Sequence, residues 1–416
     1  MAIVIQGGKK AEGTLEIQGS KNALLPILAA TTLTDEPVTI FHCPELTDVD
    51  AMLSLLEKNG KKIEKARHSI TITGTSHKDQ TQIGWPAEKI RASILFMGAL
   101  IGRHGQVEID MPGGCSIGSR PIDIHLSALK QMGMTWQEKE NVLICEAKNG
   151  IQGCRIDLSY PSVGATENIL LAAVLAKGDT KICGAAKEPE IQHLADFLNA
   201  MGAKITGAGT SEIAIRGVTH LKGTRWQLCS DRIVLLTYGM LTAGCGGEVS
   251  LRSELDFFTA ERDVLEKMGC SIYKKKNELV IRQPYMAKAV PFLATGPYPE
   301  FPTDGQSLVM AALTRTTGIS TIEERVFENR FGVIRELKKM GAAIDVAGNR
   351  ARVSGVTRLH GARVHAFDLR GGAGLIIAGA MAEGTSEVYG EEYVARGYQK
   401  ITKQLRKLGI QAHSKK

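Results

Sequence analysis

The chain has 416 residues, 43% of them hydrophobic and 23% charged, which suits a folded protein with room for two domains and excludes a disordered or fibrous one. Its net charge of +7 comes from 51 Lys and Arg against 44 Asp and Glu scattered along the chain, with only 5% aromatic residues. Lacking basic clusters and stacking platforms, it is not expected to bind nucleic acid, and an anionic small-molecule substrate accounts for the excess.

No apolar run reaches the length of a membrane span. The opening MAIVIQGGKKAEGTLEIQGS has neither the basic nor the long apolar region of a signal peptide, so the expected compartment is the cytoplasm. In chain order, a strand over residues 3–18 comes first and is expected to pair with the last repeat. Next comes a helix that is apolar nearly all round, LLPILAATTLTDEPVTI, with Pro26 expected near its start. An amphipathic helix then closes at Gly60 in LLEKNGKKIE, followed by strand-like alternation.

Both helices return five more times. The apolar copies are SILFMGALIGRHGQVEI, NILLAAVLAKGDTKI, VLLTYGMLTAGCGGEVSL, LVMAALTRTTGISTI and LIIAGAMAEGTSEVY. The amphipathic copies close at Gly133, Gly202, Gly269, Gly341 and Gly409, each expected to adopt a left-handed C-cap conformation. A period of roughly 70 residues marks a repeat architecture. Six α/β units suggest two domains of three units each, residues 20–228 and residues 1–19 plus 229–416, joined by two chain crossings around a substrate cleft.

Charged residues recur where a loop meets the start of an apolar helix, where free N–H groups and the helix dipole favour anions. They are Lys21 in GSKN, Lys89 and Arg91 before SILFMGAL, Asp304 in EFPTDGQ, and Asp368 and Arg370 in FDLRGG. Singly each reads as a solvated charge or a cap; recurring in phase, they point to a site. The loop MPGGCSIGSRP reads either as a glycine-rich turn that happens to hold Cys115, or as an accessible thiol kept reactive by Arg120. His125 in RPIDIHL reads as a satisfied helix residue. The eight cysteines include no CxxC pair or zinc-ligand spacing, and P-loop, HExxH, GxSxG and GxGxxG patterns are absent.

The segments GSKNALLPILAA, KIRASI, MPGGCSIGSRPIDIHLSAL, PSVGATENI, AAKEPEI, EFPTDGQ, FENRF, DLRGGAGL and RGYQKI run in order over nearly the whole chain. Together they resemble the enolpyruvyl transferase family, and within it the UDP-N-acetylglucosamine enolpyruvyl transferases. The resemblance implies two inside-out α/β barrel domains. It also implies transfer of the enolpyruvyl group of phosphoenolpyruvate to the 3-hydroxyl of UDP-N-acetylglucosamine, the first committed step of peptidoglycan synthesis.

By the same resemblance, Lys21, Asn22, Arg120 and Arg396 meet phosphoenolpyruvate on its phosphate and loop side, and Arg330 and Arg370 clamp its carboxylate. Cys115 is the acid and a covalent acceptor, Asp304 takes the hydroxyl proton, and Asp368 supports elimination. Asn22, Arg91 and Val326 match contacts to the sugar and diphosphate. Arg120, Pro121, Ile122, Asp123 and Ile124 match the uridine loop, and Tyr160, Ser162, Val163 and Gly164 match contacts to uridine and phosphates. The epoxide fosfomycin is implied as a covalent inhibitor at Cys115, and the family often behaves as a monomer. The resemblance implies no metal or organic cofactor.

The chain departs from the family pattern at Gly332-Val333-Ile334, at Tyr393 and Ala395, and at His42 and Cys43, none of which carries an assigned role. A non-catalytic regulatory relative would be expected to have lost Cys115, Asp304 or an arginine, and an RNA 3′-phosphate cyclase-like protein would need a basic groove. Neither expectation fits the sequence. A different acceptor sugar stays open at this level.

Overall fold

The computed structural model describes residues 1–74, 82–83, 90–111, 122–256 and 258–415. Within them the chain forms two compact units: residues 19–229, and residues 1–18 with 230–415. It passes from one to the other between Gln18 and Gly19 and again between Cys229 and Ser230.

Each unit is organised by three helices whose sequence offers no polar face. In the 19–229 unit these are Lys21–Ala30, Leu95–His104 and Val163–Ala173; in the other they are Arg232–Cys245, Thr303–Leu313 and Leu369–Met381. All six are buried along most of their length, and each triplet sits in a separate apolar core. Small residues bring these helices almost backbone to backbone. A Cβ at Gly98 would stand 2.2 Å from the Asn168 carbonyl oxygen, and one at Gly374 would stand 2.6 Å from that of Ser307.

Around the helices lie six four-stranded sheets built to one plan. The strand after the apolar helix is flanked by a parallel edge strand on one side and an antiparallel strand on the other. Asp179–Cys183, for instance, pairs in parallel with Arg155–Asp157 and antiparallel with Glu212–Arg216, which carries Lys204–Thr206 at the far edge. Strand faces alternate buried and exposed, as one-sided packing on the helices requires. The amphipathic helices end where the sequence marks them: Gly60, Gly133, Gly202, Gly269, Gly341 and Gly409 all have φ between 77° and 104°. The helices-inside, sheets-outside arrangement is the inside-out α/β fold expected from the resemblance.

The first and fourth repeats exchange their edge strands. Ala11–Glu16, just before the first apolar helix, pairs in parallel with Gly247–Arg252, which follows the fourth. Arg225–Gln227, just before the fourth, pairs with Val38–Phe41, which follows the first. The exchange is the topological result of the two chain crossings.

The opening segment is two strands rather than one, divided at Gly7-Gly8, where Gly8 has φ 79°. The first, Ala2–Gln6, inserts between Thr385–Tyr389 and Gln411–Lys415 and completes the sixth sheet.

Pro26 does not start its helix. The helix begins at Lys21 under a Ser20 cap whose Oγ accepts from Ala23 N–H at 3.3 Å, and Pro26 lies inside it. Proline has no N–H for the i−4 carbonyl, so Asn22 keeps its carbonyl out of the helical ladder, at the end where the sequence places chemistry. Among the described residues no helix is long and apolar enough to cross a membrane.

Gly374→Ala should destabilise the protein by about 1–3 kcal/mol, since the added methyl meets backbone that cannot step aside. Gly332→Ala, whose Cβ would meet nothing within 4 Å, should leave stability unchanged or slightly raised. Urea unfolding of both variants checks the contrast.

Candidate functional site

The sequence-marked charges sit at helix starts in both units, and each unit is described in turn. In the 230–415 unit, Asp304 is the second residue of the Thr303–Leu313 helix. Its Oδ1 accepts from Arg330 Nη2 at 2.5 Å, and its Oδ2 from Arg370 Nε and Nη2 at 3.2 and 3.1 Å. Both guanidiniums are only 3% exposed, whereas Asp304 is 32% exposed. Arg330 also donates to the Thr303 carbonyl and lies over the Phe327 ring. Arg370 donates to Tyr398 Oη at 3.2 Å and lies over that ring. Burial works against the Arg370 charge, but Asp304, Tyr398 and Asp231 around it hold its pKa above the usual arginine value.

Asp368 caps the Leu369–Met381 helix: Oδ1 takes the N–H groups of Arg370 and Gly371 at 3.0 and 2.9 Å, and Oδ2 takes neither. Arg396 is half-buried at the end of the short Glu391–Ala395 helix. Val326 N–H donates to Glu324 Oε1 at 2.8 Å, so a main-chain contact from Val326 to a ligand falls to its carbonyl. Glu324, itself buried, also accepts from Phe327 N–H and the Thr303 hydroxyl and so ties the 325–327 turn to the helix bearing Asp304.

In the 19–229 unit, Lys21 opens its helix and pairs with Asp48 at 3.2 Å, both side chains being largely buried. Asn22 beside it is half-buried. Arg91 begins the single-turn Arg91–Ile94 segment that runs into Leu95–His104. Ser162 caps Val163–Ala173 by accepting from Ala165 N–H at 3.3 Å; Tyr160 is 42% exposed just ahead of it. Ile122 is buried at the start of Asp123–Gln131, with Asp123 exposed and Ile124 half-buried. Cys115, Arg120, Pro121 and Lys89 lie outside the described residues.

His125 is 6% exposed, and its Nδ1 faces the Asn168 side-chain amide at 2.8 Å. Burial, then the charge of Arg91, push its pKa from the usual 6.5 to about 4, against an opposing pull from Asp123.

Sequence reasoning assigned no role to Asp48, Glu324, Asn168 or Tyr398. Tyr398 lies within the RGYQKI segment and Asn168 within PSVGATENI, so a signal existed for these two. Asp48 and Glu324 carry none, since only the fold brings them to Lys21 and Thr303. Among the described residues no three His, Cys, Asp or Glu side chains gather as a metal site would need.

Cations fixed beside carboxylates at helix starts, on inside-out α/β units, make an arrangement suited to anionic ligands, and comparison with known proteins places the chain. The family model for EPSP synthase (3-phosphoshikimate 1-carboxyvinyltransferase) matches residues 5–405, and the chain belongs to this family of enolpyruvyl transferases. It is 43% identical over 409 residues to UDP-N-acetylglucosamine 1-carboxyvinyltransferase 2 of Caldanaerobacter subterraneus subsp. tengcongensis, covering 97% of each chain. It is 44% identical to the UDP-N-acetylglucosamine 1-carboxyvinyltransferase of Endomicrobium trichonymphae, covering 98% of this chain and 97% of the relative. Among solved structures, the enolpyruvyl transferase NikO from Streptomyces tendae superposes with a TM-score of 0.87 at 22% identity, over 99% of this chain and 98% of that one. EPSP synthase from Acinetobacter baumannii does so at 0.74 and 20% identity over the whole of both chains. At these identities the two structures attest the fold alone.

Removing the carboxylate in Asp304→Ala leaves two buried guanidiniums without their shared counter-charge, and should cost about 3–5 kcal/mol of stability in urea unfolding. A loss below about 1 kcal/mol would show that the arginines re-pair elsewhere. For His125, a folded pKa below the unfolded one means that its contribution is fully present above pH 6.5 and lost as pH falls toward 4. Stability should therefore drop over that window by about 3 kcal/mol more in the wild type than in His125→Gln, measured by urea unfolding at each pH.

Proposed function

We propose that the chain transfers the enolpyruvyl group of phosphoenolpyruvate to the 3-hydroxyl of UDP-N-acetylglucosamine with release of phosphate, the first committed step of peptidoglycan synthesis. The observation that carries this reading is the likeness at above 40% identity, over nearly the full chain, to two UDP-N-acetylglucosamine 1-carboxyvinyltransferases. The charged groups at the helix starts of both units fit the chemistry, and the reading has both units serve one pair of substrates.

The reaction adds the sugar hydroxyl to C2 of phosphoenolpyruvate while a proton enters at C3. Loss of a C3 proton and of phosphate then restores the double bond. Cys115 supplies the C3 proton and Asp304 takes the hydroxyl proton. Arg330 and Arg370 receive the substrate carboxylate; Lys21, Asn22, Arg120 and Arg396 serve its phosphate side.

The observed pairing gives this assignment a sequence of events. A carboxylate gripped by two guanidiniums is a weak base. An arriving substrate carboxylate competes for those cations, and Asp304 becomes a stronger base as its grip loosens, when the hydroxyl proton has to be removed. Asp368 is assigned to support elimination, and its having one oxygen on the helix cap and the other off it is compatible with that role. The diphosphate of the nucleotide sugar falls to Arg91, Ser162, Val163 and Gly164. The uridine falls to Arg120, Pro121, Ile122, Asp123, Ile124 and Tyr160, and the sugar to Asn22, Asp304 and Val326.

Both substrates are anions that do not cross membranes, which sets the reaction in the cytoplasm. A monomer suffices, because one chain carries every residue assigned.

Mass analysis of products from purified protein, phosphoenolpyruvate and UDP-N-acetylglucosamine tests the reading. The expected result is an enolpyruvyl nucleotide sugar with free phosphate, reduced about 10²–10⁴-fold in Cys115→Ala. Binding of the nucleotide sugar without product would replace the enzyme with a regulatory relative. Fosfomycin should add covalently to the Cys115 peptide of the wild type, and an unmodified peptide would remove that thiol from the reading.

A further inference from the structure

Arg370 presents two edges, and its neighbours use them differently. Nε and Nη2 face Asp304 Oδ2 at 3.2 and 3.1 Å, while Nη1 donates to Tyr398 Oη at 3.2 Å. Under the function proposed above, the first edge changes partner, because the substrate carboxylate displaces Asp304 there. The second edge keeps its partner, which decides whether the guanidinium stays in place during the exchange.

The Tyr398 hydroxyl is itself held. Thr237 Oγ1 donates to the Ile233 carbonyl at 2.7 Å, a group that can only accept, so the threonine proton is committed there. In the 2.8 Å contact between the two hydroxyls Tyr398 is therefore the donor, and its oxygen is left to accept from Arg370. The bonds run one way, from Arg370 through Tyr398 and Thr237 to a main-chain carbonyl of the buried Arg232–Cys245 helix. Burial raises the Tyr398 pKa above its usual value against the pull of Arg370, which keeps the hydroxyl protonated and the direction fixed.

The main chain around Tyr398 is gripped as well. Gln18 Nε2 donates to the Gly397 carbonyl at 3.1 Å, and Gln18 Oε1 accepts from Gln399 N–H at 2.9 Å. Tyr398 is 2% exposed, and Arg370 lies over its ring. A phenylalanine would fill the same space; the hydroxyl adds two hydrogen bonds and an orientation for the guanidinium.

We propose that Tyr398 is the positioning residue of Arg370. Its hydroxyl, oriented by Thr237, holds the Nη1 edge while the Nε and Nη2 edge passes from Asp304 to the carboxylate of phosphoenolpyruvate. This inference rests on the function proposed above and adds to it two residues that act through Arg370.

Steady-state kinetics of the wild type, Tyr398→Phe, Thr237→Val, Thr237→Ser and the Tyr398→Phe/Thr237→Val double variant test it. The Phe variant loses only the hydroxyl. Its KM for phosphoenolpyruvate should rise about 10-fold, whereas KM for UDP-N-acetylglucosamine should stay within about twofold of the wild type. Thr237→Val should move the same constant in the same direction, and Thr237→Ser, which keeps a hydroxyl, should restore it. Because the bonds act in series, the double variant should match Tyr398→Phe instead of multiplying the two losses. The Val and Ser variants decide the matter if the Phe variant fails to fold. An unchanged KM for phosphoenolpyruvate, equal rises for both substrates, or multiplied losses in the double variant overturns this inference alone. A wild type that forms no product overturns the function as well.

Discussion

The six apolar helices bury their whole circumference, so the polar groups they can offer lie at their first turns. Six of the groups given roles obey this constraint. Lys21, Arg91, Asp304 and Arg370 stand within two residues of a helix or turn start, and Ser162 and Asp368 are caps. A helix that must be buried brings its dipole and unpaired N–H groups with it, which makes its start a ready place for anions. The fold thereby supplies partial positive charge before any side chain does, and the arginines and lysine add to it.

Concentrating cations in this way requires carboxylates. Arg330 and Arg370 share Asp304, Lys21 takes Asp48, and Arg232 takes Glu261. Such pairs contribute little net stability, because desolvation offsets most of their attraction, yet they hold geometry firmly. Asp304 is much the more exposed partner in its cluster, which under the function proposed makes it the group that an incoming carboxylate would displace while the arginines stay in place. Preorganised donors of this kind avoid reorganisation during reaction.

The repeat could be read from the chain because its marks are local. A closing glycine at φ near 90° and an apolar helix without a polar face are properties of ten or fifteen neighbouring residues. Pairings between distant segments were not legible. The exchange of Ala11–Glu16 and Arg225–Gln227 between repeats, and the division of residues 3–18 into two strands, depend on partners more than 180 residues away. The site divides along the same line. That charges gather at helix starts could be seen in the sequence, but that Asp304 binds both arginines, or that Asp48 neutralises Lys21, could not. Pro26 misled because its usual place in the first turn was weighed without the Ser20 cap six residues upstream of it.

The insertion of Ala2–Gln6 between Thr385–Tyr389 and Gln411–Lys415 bears on how the molecule is made. The 19–229 unit is one continuous stretch and can complete its core while the ribosome is still translating the rest. The first strand, although synthesised before either of its neighbours, has to wait for both to emerge more than 370 residues later. During that interval it is an apolar strand with both edges unpaired, the form most prone to pair with another molecule. Aggregation during synthesis should therefore originate in these five residues rather than in the larger cores.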